Sequence, residues 1–221
     1  MGVYNYDDMF DYVLNVLTVN NGIKSKQAKF TFRNRFMHIK RVFGWAKRIM
    51  ECLDVDKDVV LTAAIFHDSG YSLDKSKDEH ALRGANIFKE YALMHAFNDE
   101  FIAIVYDMIL NHSNKGLLNE KNTSLEMIVL LEADLMDEEG ALGLVFDLLA
   151  EGTKSPNSYE VVFNEILNHS AHIIDQDFMV TPLAKKFWDE KKEFIQKFID
   201  DLKFDLFMEW LLWLLILLVL V

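Results

Sequence analysis

The chain has 221 residues, of which 51% are hydrophobic and 26% are charged, and it contains only nine glycines and two prolines. This composition excludes a disordered chain, a collagen-like repeat and a β-sandwich punctuated by glycine and proline, and it favours helices. The formal net charge of −12 argues against binding of nucleic acid polymers, because an acidic surface repels their phosphate backbones.

The first helices are predicted by apolar residues that recur with the spacing of one helix face. Residues 7–20 form the first helix, and residues 35–52 form the second after a basic stretch at residues 24–35. The third, residues 54–66, is apolar on every face, so we expect a central position for it. It ends in the sequence His-Asp-Ser-Gly, where Gly70 allows a turn.

The later helices follow the same periodicity, and no segment alternates as a strand does. Their predicted ranges are residues 78–93, 98–112, 124–136, 139–151, 159–174 and 181–202. Together these elements predict an all-α fold, a single bundle of about eight or nine helices. We expect this domain to extend over residues 1–203 and to be followed by an apolar segment, residues 204–221.

The end of the chain is unusually apolar, since Glu209 is the only charged residue within residues 206–221. A helix of that length spans about 24 Å, whereas a bilayer core is about 30 Å thick. We therefore expect this segment to be buried against the domain or against a second copy in a homo-oligomer, with membrane contact as the alternative. A single cysteine and an acidic N-terminus without a secretory signal lead us to expect a cytoplasmic protein.

Histidines and aspartates at the ends of predicted helices suggest a metal site. His67 and Asp68 follow the buried third helix, and two adjacent polar side chains there are costly unless a cation compensates them. Imidazole nitrogen and carboxylate oxygen are ligands that suit Mn, Fe, Co, Ni, Mg or Zn, and they differ from the thiolate ligands of a structural zinc site. Periodicity alone does not select their partners, but four further residues lie among apolar neighbours: His38, His80, His112 and Asp134.

Taken in order, these residues resemble the H…HD…D signature of the HD-domain metal-dependent phosphohydrolases. His38 precedes His67 by the separation usual in that family, and AAIFHDSG around Asp68 is similar to the family's AALLHDIG segment. The sequence ADLMDEEGALG around Asp134 resembles the ADRLDxxGAxG segment of a small bacterial subgroup of nucleotide phosphohydrolases and pyrophosphatases. The resemblance covers residues 33–146.

The resemblance implies that one divalent ion is bound by His38, His67, Asp68 and Asp134, and that Asp68 and His67 act in catalysis. His80 and His112 extend the pattern to that of members with two ions, which leaves open whether they bind a second ion or contact substrate phosphate. Arg35 lies one helical turn before His38 and is a further catalytic candidate. Substrate phosphate contacts are expected from Lys75, Lys77 and Arg83.

We therefore expect a divalent-metal-dependent phosphohydrolase that acts on a nucleotide or another small phosphate ester or anhydride. Two acidic residues close to Asp134 in sequence, Asp137 and Glu138, lie on the same helix face. They either fix ligand histidines or are solvated. Two alternatives remain, which are an HD-type di-iron oxygenase and a non-catalytic metal- or ligand-binding regulatory module. Fold membership does not name the leaving group.

Overall fold

The structure is a computed structural model that describes residues 4–19, 34–71, 79–154 and 158–207. These residues form α-helices and short 3₁₀ turns without a strand, which confirms the all-α prediction. The nine helices of the described residues are α1 (Tyr6–Val19), α2 (Arg35–Ile49), α3 (Lys57–Phe66), α4 (His80–Met94), α5 (Asp99–Asn111), α6 (Leu125–Glu138), α7 (Ala141–Glu151), α8 (Tyr159–Asn168) and α9 (Pro182–Phe207).

The chain divides into two compact units. The first comprises Met1–Asp137 and Phe178–Lys185, and the second comprises Glu138–Asp177 and Lys186–Val221. All histidines and aspartates of the sequence signature belong to the first unit. The predicted extent of one domain, residues 1–203, stays a prediction.

Helix α3 forms the centre of the first unit, as its apolar sequence predicts. Every residue from Val59 to Phe66 is buried, and the helix packs against α1, α2, α4 and α5. The Asp56 side chain caps its N-terminus by accepting hydrogen bonds from the backbone of Asp58 and Val59. Because α3 is enclosed on all sides, the residues that follow it begin inside the protein.

The turn after α3 is held by side chains that bond back onto the helix. His67 Nδ1 lies 2.8 Å from the Ala64 carbonyl oxygen, and Ser69 Oγ donates to the Phe66 carbonyl oxygen at 2.7 Å. These bonds satisfy carbonyl groups that the end of a helix leaves without partners. They also fix the orientation of His67 and of the Asp68 backbone between them.

Glycine is required where α4 crosses this turn. A Cβ atom at Gly70 would overlap the backbone oxygen of His80, and one at Gly84 would lie 3.1 Å from the carbonyl oxygens of both Phe66 and His67. The absence of these side chains lets the start of α4 approach the end of α3 closely, which brings His80 next to the turn.

The second unit differs from the predicted elements at two places. The helix predicted for residues 159–174 ends at Asn168, and residues Ser170–Asp175 form a 3₁₀ turn in which Ser170 Oγ donates to Asp147 at 2.7 Å. Helix α9 reaches Phe207 rather than residue 202, and polar pairs four residues apart, such as Lys197 with Asp201, support its last turns.

Some parts of the sequence-based predictions lie outside the described residues. They are most of the basic stretch at residues 24–35, Lys75, Lys77 and residues 208–221. Among the helices that the structure does describe, none is long and apolar enough to cross a membrane.

Candidate metal centre

The ends of five helices bring the signature residues together in the first unit. His38 lies in the first turn of α2, and His80 is the first residue of α4. His112 caps the C-terminus of α5, and Asp134 lies in the last turns of α6. Asp68 follows α3, and its carboxylate lies among the other four residues.

Four side-chain atoms form the first cluster of this centre. His38 Nε2 lies 3.2 Å from His67 Nε2, 3.1 Å from Asp134 Oδ1 and 3.3 Å from Asp68 Oδ2. His67 Nε2 lies 3.5 Å from Asp68 Oδ2 and 3.7 Å from Asp134 Oδ1. All four residues are at least nine-tenths buried.

These separations fit one divalent ion. Nitrogen and oxygen ligands lie about 2.0–2.2 Å from such an ion, so neighbouring ligand atoms in tetrahedral or octahedral sites are roughly 3.0–3.6 Å apart. Two imidazole nitrogens 3.2 Å apart are a poor arrangement without an ion unless one carries a proton, because two lone pairs would otherwise face each other. The donor set is therefore that of a metal site.

A second cluster lies on the other oxygen of the same carboxylate. Asp68 Oδ1 is 3.5 Å from His80 Nε2 and 3.3 Å from His112 Nε2, and the two imidazole nitrogens are 3.2 Å apart. Ser113 Oγ adds an oxygen 3.2 Å from His80 Nε2 and 3.3 Å from His112 Nε2. Asp68 therefore joins the two clusters, with one oxygen in each.

Three of the histidines are oriented by a hydrogen bond from Nδ1, their second ring nitrogen, to an acceptor oxygen. His67 Nδ1 contacts the Ala64 carbonyl oxygen at 2.8 Å, and His112 Nδ1 contacts the Ile109 carbonyl oxygen at 2.7 Å. His38 Nδ1 lies 2.7 Å from Asp137 Oδ2. A hydrogen on each Nδ1 leaves the lone pair of each Nε2 free to bind an ion, as histidine ligands require.

Asp137 is itself held in place by Arg41. The guanidinium donates from Nε to Asp137 Oδ1 at 2.6 Å and from Nη2 to Oδ2 at 2.9 Å. Such a two-point contact fixes the plane of the carboxylate. Of the two alternatives for Asp137, the geometry favours the role of fixing a ligand histidine.

The centre perturbs the pKa values of its residues in opposite directions. Burial lowers the pKa of His67 to about 4, against the attraction of the nearby carboxylates. Burial opposes the charge on His38 too, but hydrogen bonds to Asp134, Asp137 and Asp68 raise the pKa of His38 well above its ordinary value. The pKa of Asp68 is held well below its usual range, despite burial, chiefly by His67 and Arg35.

Two cationic side chains contact the carboxylates of this centre. The Arg35 guanidinium forms an ion pair with Asp68 Oδ2 and lies 3.7 Å from the centre of the Tyr71 ring. Lys115 Nζ lies 2.5 Å from Asp134 Oδ2. Arg35 and Lys115 are each about 30% exposed, so both extend from the buried ligands toward solvent.

The structure thus brings together most of the residues singled out from the sequence, namely Arg35, His38, His67, Asp68, His80, His112 and Asp134. Arg83 instead donates to the Gly70 carbonyl oxygen at 2.9 Å and pairs with Glu79 at 3.3 Å. Lys75 and Lys77 lie outside the described residues.

Ser113, Arg41 and Lys115 belong to the centre but were not predicted from the sequence. Arg41 is three residues from His38, so helical spacing alone would have placed both on one face. Lys115 begins the short 3₁₀ helix Lys115–Asn119 after α5, where no α-helical periodicity predicts the direction of a side chain.

Comparison with known proteins supports the fold and the motif. Residues 35–139 match the HD domain family, and no curated protein matches the chain. An HD-superfamily hydrolase from Bacillus thuringiensis superposes with a TM-score of 0.65 and 18% identity, covering 90% of this chain and 97% of that one. Bacillus subtilis YpgQ in complex with ADP gives a TM-score of 0.60 and 20% identity, over 90% and 96% of the two chains.

The HD domain match includes all the residues of both clusters, from His38 to Asp134. The all-α fold is shared with solved structures over nine-tenths of the chain. Residues 35–139 of this chain are an HD domain.

Proposed function

We propose that this protein is a divalent-metal-dependent phosphohydrolase that acts on a nucleotide or another small phosphate ester or anhydride. The observation that carries this proposal is the position of Asp68, whose two carboxylate oxygens each face a cluster of imidazole nitrogens. An arrangement of this kind suits two neighbouring divalent ions and the displacement of a phosphoryl group between them.

His38, His67, Asp134 and Asp68 Oδ2 would hold the first ion, and His80, His112 and Asp68 Oδ1 would hold the second. Bound divalent ions supply Lewis-acid stabilisation of phosphoryl oxygens and lower the pKa of water. Mn, Fe, Co, Ni, Mg and Zn remain the candidates, since the ligands are imidazoles and carboxylates.

The side chains contribute orientation and charge to this reaction. Asp68 stays ionised at neutral pH because its pKa is held low, so it can accept a hydrogen bond from the attacking water. Arg35 is positioned by Asp68 and by the Tyr71 ring, and its guanidinium is directed toward the same site. We propose that it stabilises negative charge on the phosphoryl group in the transition state.

The charge of the centre favours an anionic substrate. The charges of its ionised side chains cancel in three ion pairs, which are Asp68 with Arg35, Asp134 with Lys115, and Asp137 with Arg41. Each bound divalent ion would then add two positive charges beyond those that these three ion pairs balance. A protein with a net charge of −12 thereby acquires one locally positive surface, which attracts phosphate.

A nucleotide substrate is supported by one comparison. The structure of Bacillus subtilis YpgQ, which shares the fold of this chain, contains ADP. For the present chain we propose only the chemical class of the substrate, which is a base and sugar carrying one or more phosphates.

The same geometry leaves one competing chemistry. A carboxylate between two clusters of histidines also suits a pair of iron ions, which is the arrangement of the HD-type di-iron oxygenase. Iron-dependent oxygen consumption without phosphate release would favour that alternative. A purely regulatory module is disfavoured because no residue of the two ligand clusters is missing.

The experiment is a metal analysis of purified protein followed by a phosphate-release screen. Nucleoside mono-, di- and triphosphates are tested with Mn, Co, Ni, Mg and Zn, for both inorganic phosphate and pyrophosphate. Asp68→Asn should reduce turnover by about three orders of magnitude or more, because it alters both clusters. The control Asp54→Asn changes an exposed carboxylate of the same unit. Full activity of Asp68→Asn would refute the proposal.

A further inference from the structure

We propose that Lys115 is a substrate-binding residue of this centre, whose ammonium contacts a phosphoryl oxygen of the bound substrate. This inference rests on the proposed function and names one of its binding contacts. Lys115 lies outside the histidine and aspartate pattern of the sequence, and its position is known only from the structure.

The lysine reaches the centre from the turn that follows His112. Its Nζ donates to the His112 carbonyl oxygen at 3.2 Å and to Asp134 Oδ2 at 2.5 Å. Asp134 Oδ1 faces the imidazole of His38 at 3.1 Å. The carboxylate of Asp134 therefore lies between the first metal cluster and the ammonium, with one oxygen toward each.

The exposure of the pair places the ammonium on the solvent side. The Lys115 side chain is 30% exposed, whereas that of Asp134 is 11% exposed. An ammonium has three hydrogens to donate, and the contacts within the described part of the chain engage two acceptors. One donor thus remains for a ligand that arrives from solvent.

Ion binding changes the balance of this contact in favour of a substrate. When Asp134 Oδ1 binds a divalent ion, the carboxylate shares its negative charge with that ion and attracts the ammonium less strongly. Phosphoryl oxygens of a substrate at the same ion carry more negative charge, and a lysine ammonium is a good point-charge partner for phosphate. The expected result is an ammonium shared between Asp134 and the phosphoryl group.

The test compares Lys115→Met, Lys115→Gln and Lys115→Arg with a matched control, Lys121→Met. Lys121 is an exposed lysine six residues further along the chain. The measurements are KM and kcat for the best substrate of the screen, the inhibition constant of inorganic phosphate, and the affinity for Mn²⁺. Loss of a charge-assisted hydrogen bond predicts that KM and the phosphate inhibition constant rise about ten- to hundredfold in the Met and Gln variants.

The arginine variant retains the positive charge, so we expect it to restore phosphate inhibition to within about fivefold of the wild type, and the Lys121 variant should match the wild type. A merely structural role would weaken Mn²⁺ binding and leave phosphate inhibition unchanged, which would overturn the inference. Values of KM and phosphate inhibition within twofold of wild type in both neutral variants would overturn it as well.

A footprint on the wild-type protein covers the case in which the neutral variants do not fold. Lysines are labelled with an acetylating reagent in the presence of Mn²⁺, with and without inorganic phosphate, and quantified by mass spectrometry. Phosphate should protect Lys115 at least threefold and leave Lys121 unaffected, while equal labelling would reject the contact. Absence of any phosphate release by the wild type would instead reject the proposed function, so the two failures are distinguishable.

Discussion

Removing the charge of Asp137 tests whether this residue controls the metal affinity of the centre without touching an ion itself. Its carboxylate accepts a hydrogen bond from His38 Nδ1 at 2.7 Å and two from the Arg41 guanidinium at 2.6 and 2.9 Å. In Asp137→Asn, an amide oxygen in the place of Oδ2 can still accept from His38 Nδ1 and from Arg41 Nη2, but the amide nitrogen then faces Arg41 Nε and repels it. The hydrogen bond to His38 loses its charge assistance, and the side chain at position 137 is no longer held at two points, so the ring plane of His38 is less firmly fixed.

The size of the effect follows from the partners involved. Substitution of a group that orients a metal-binding histidine costs about 10- to 100-fold in metal affinity, which corresponds to about 1.4–2.7 kcal/mol. We expect the upper part of this range, because Asp137 is 97% buried and water cannot replace the lost acceptor. His112 of the second cluster keeps its own Nδ1 partner, the Ile109 carbonyl oxygen, so we expect the larger part of the loss at the first cluster.

The assay is a titration of metal-free protein with Mn²⁺, with free ion followed by electron paramagnetic resonance. Asp54→Asn serves as the control for loss of one negative charge, because Asp54 is exposed. Circular dichroism verifies that each variant is folded before titration. Equal Mn²⁺ affinities for Asp137→Asn and the control would show that the hydrogen bond to His38 does not control binding.

Three further predictions concern packing, pH and metal removal. Gly70→Ala should destabilise the fold by about 3 kcal/mol, because the added Cβ overlaps the backbone at the start of α4. The control Gly44→Ala, with open space around its Cβ, should stabilise α2 by about 0.5–1 kcal/mol. Urea unfolding measures both changes in stability, and equal effects would contradict the close approach of α4 to the turn after α3. The metal-free protein should be most stable near pH 6.5, because below this value His67, with its pKa of about 4, gains a proton only on unfolding, which destabilises the fold by about 3 kcal/mol by pH 4. Above pH 6.5 the fold is destabilised again, because His38, with its raised pKa, loses a proton only on unfolding. A free energy of unfolding that rises steadily from pH 5 to 8 would contradict this assignment. Addition of Mn²⁺ at a hundred times its Kd to chelated protein should raise the free energy of unfolding by about 2.7 kcal/mol, and an unchanged melting temperature by calorimetry would exclude ion binding to the native fold.

The sequence was most informative for helix α3 and for the two polar residues that follow it. The apolar run before His67 predicted a central helix, and burial of every residue from Val59 to Phe66 confirms it. A buried helix that ends in His67 and Asp68 has few ways to satisfy both side chains. The ordered pattern from His38 to Asp134 then indicated the family, and the match to the HD domain confirms it.

The contacts that adapt the centre to its reaction were not predictable in the same way. The pairing of His80 with His112 depends on the crossing of α4 over the turn after α3, which Gly70 and Gly84 permit through the absence of their side chains. Local sequence does not specify which backbone a glycine will approach. Lys115 lies where helical periodicity has ended, so only tertiary structure places its ammonium on Asp134.

Helix boundaries show the same division between local and tertiary causes. Helix α9 continues past residue 202 as far as Phe207, the last residue that the structure describes, because residues 203–207 contain no strong helix breaker and the preceding turns include pairs with helical spacing. Helix α8 ends at Asn168, although the following residues are compatible with a helix, and the next turn is fixed by the bond from Ser170 to Asp147. A side chain some twenty residues away in sequence decides that boundary, and no local pattern reports it.

The position of Asp68 also implies that the two clusters are energetically coupled. An ion bound at Oδ2 would withdraw electron density from the carboxylate, so Oδ1 would be a weaker donor for an ion at His80 and His112. The first ion would also fix the carboxylate plane, which would lower the conformational cost of binding at the second cluster. Arg35 on Oδ2 strengthens the first of these effects. The second ion should therefore bind more weakly than the first, and an anionic substrate that bridges both clusters would restore its affinity.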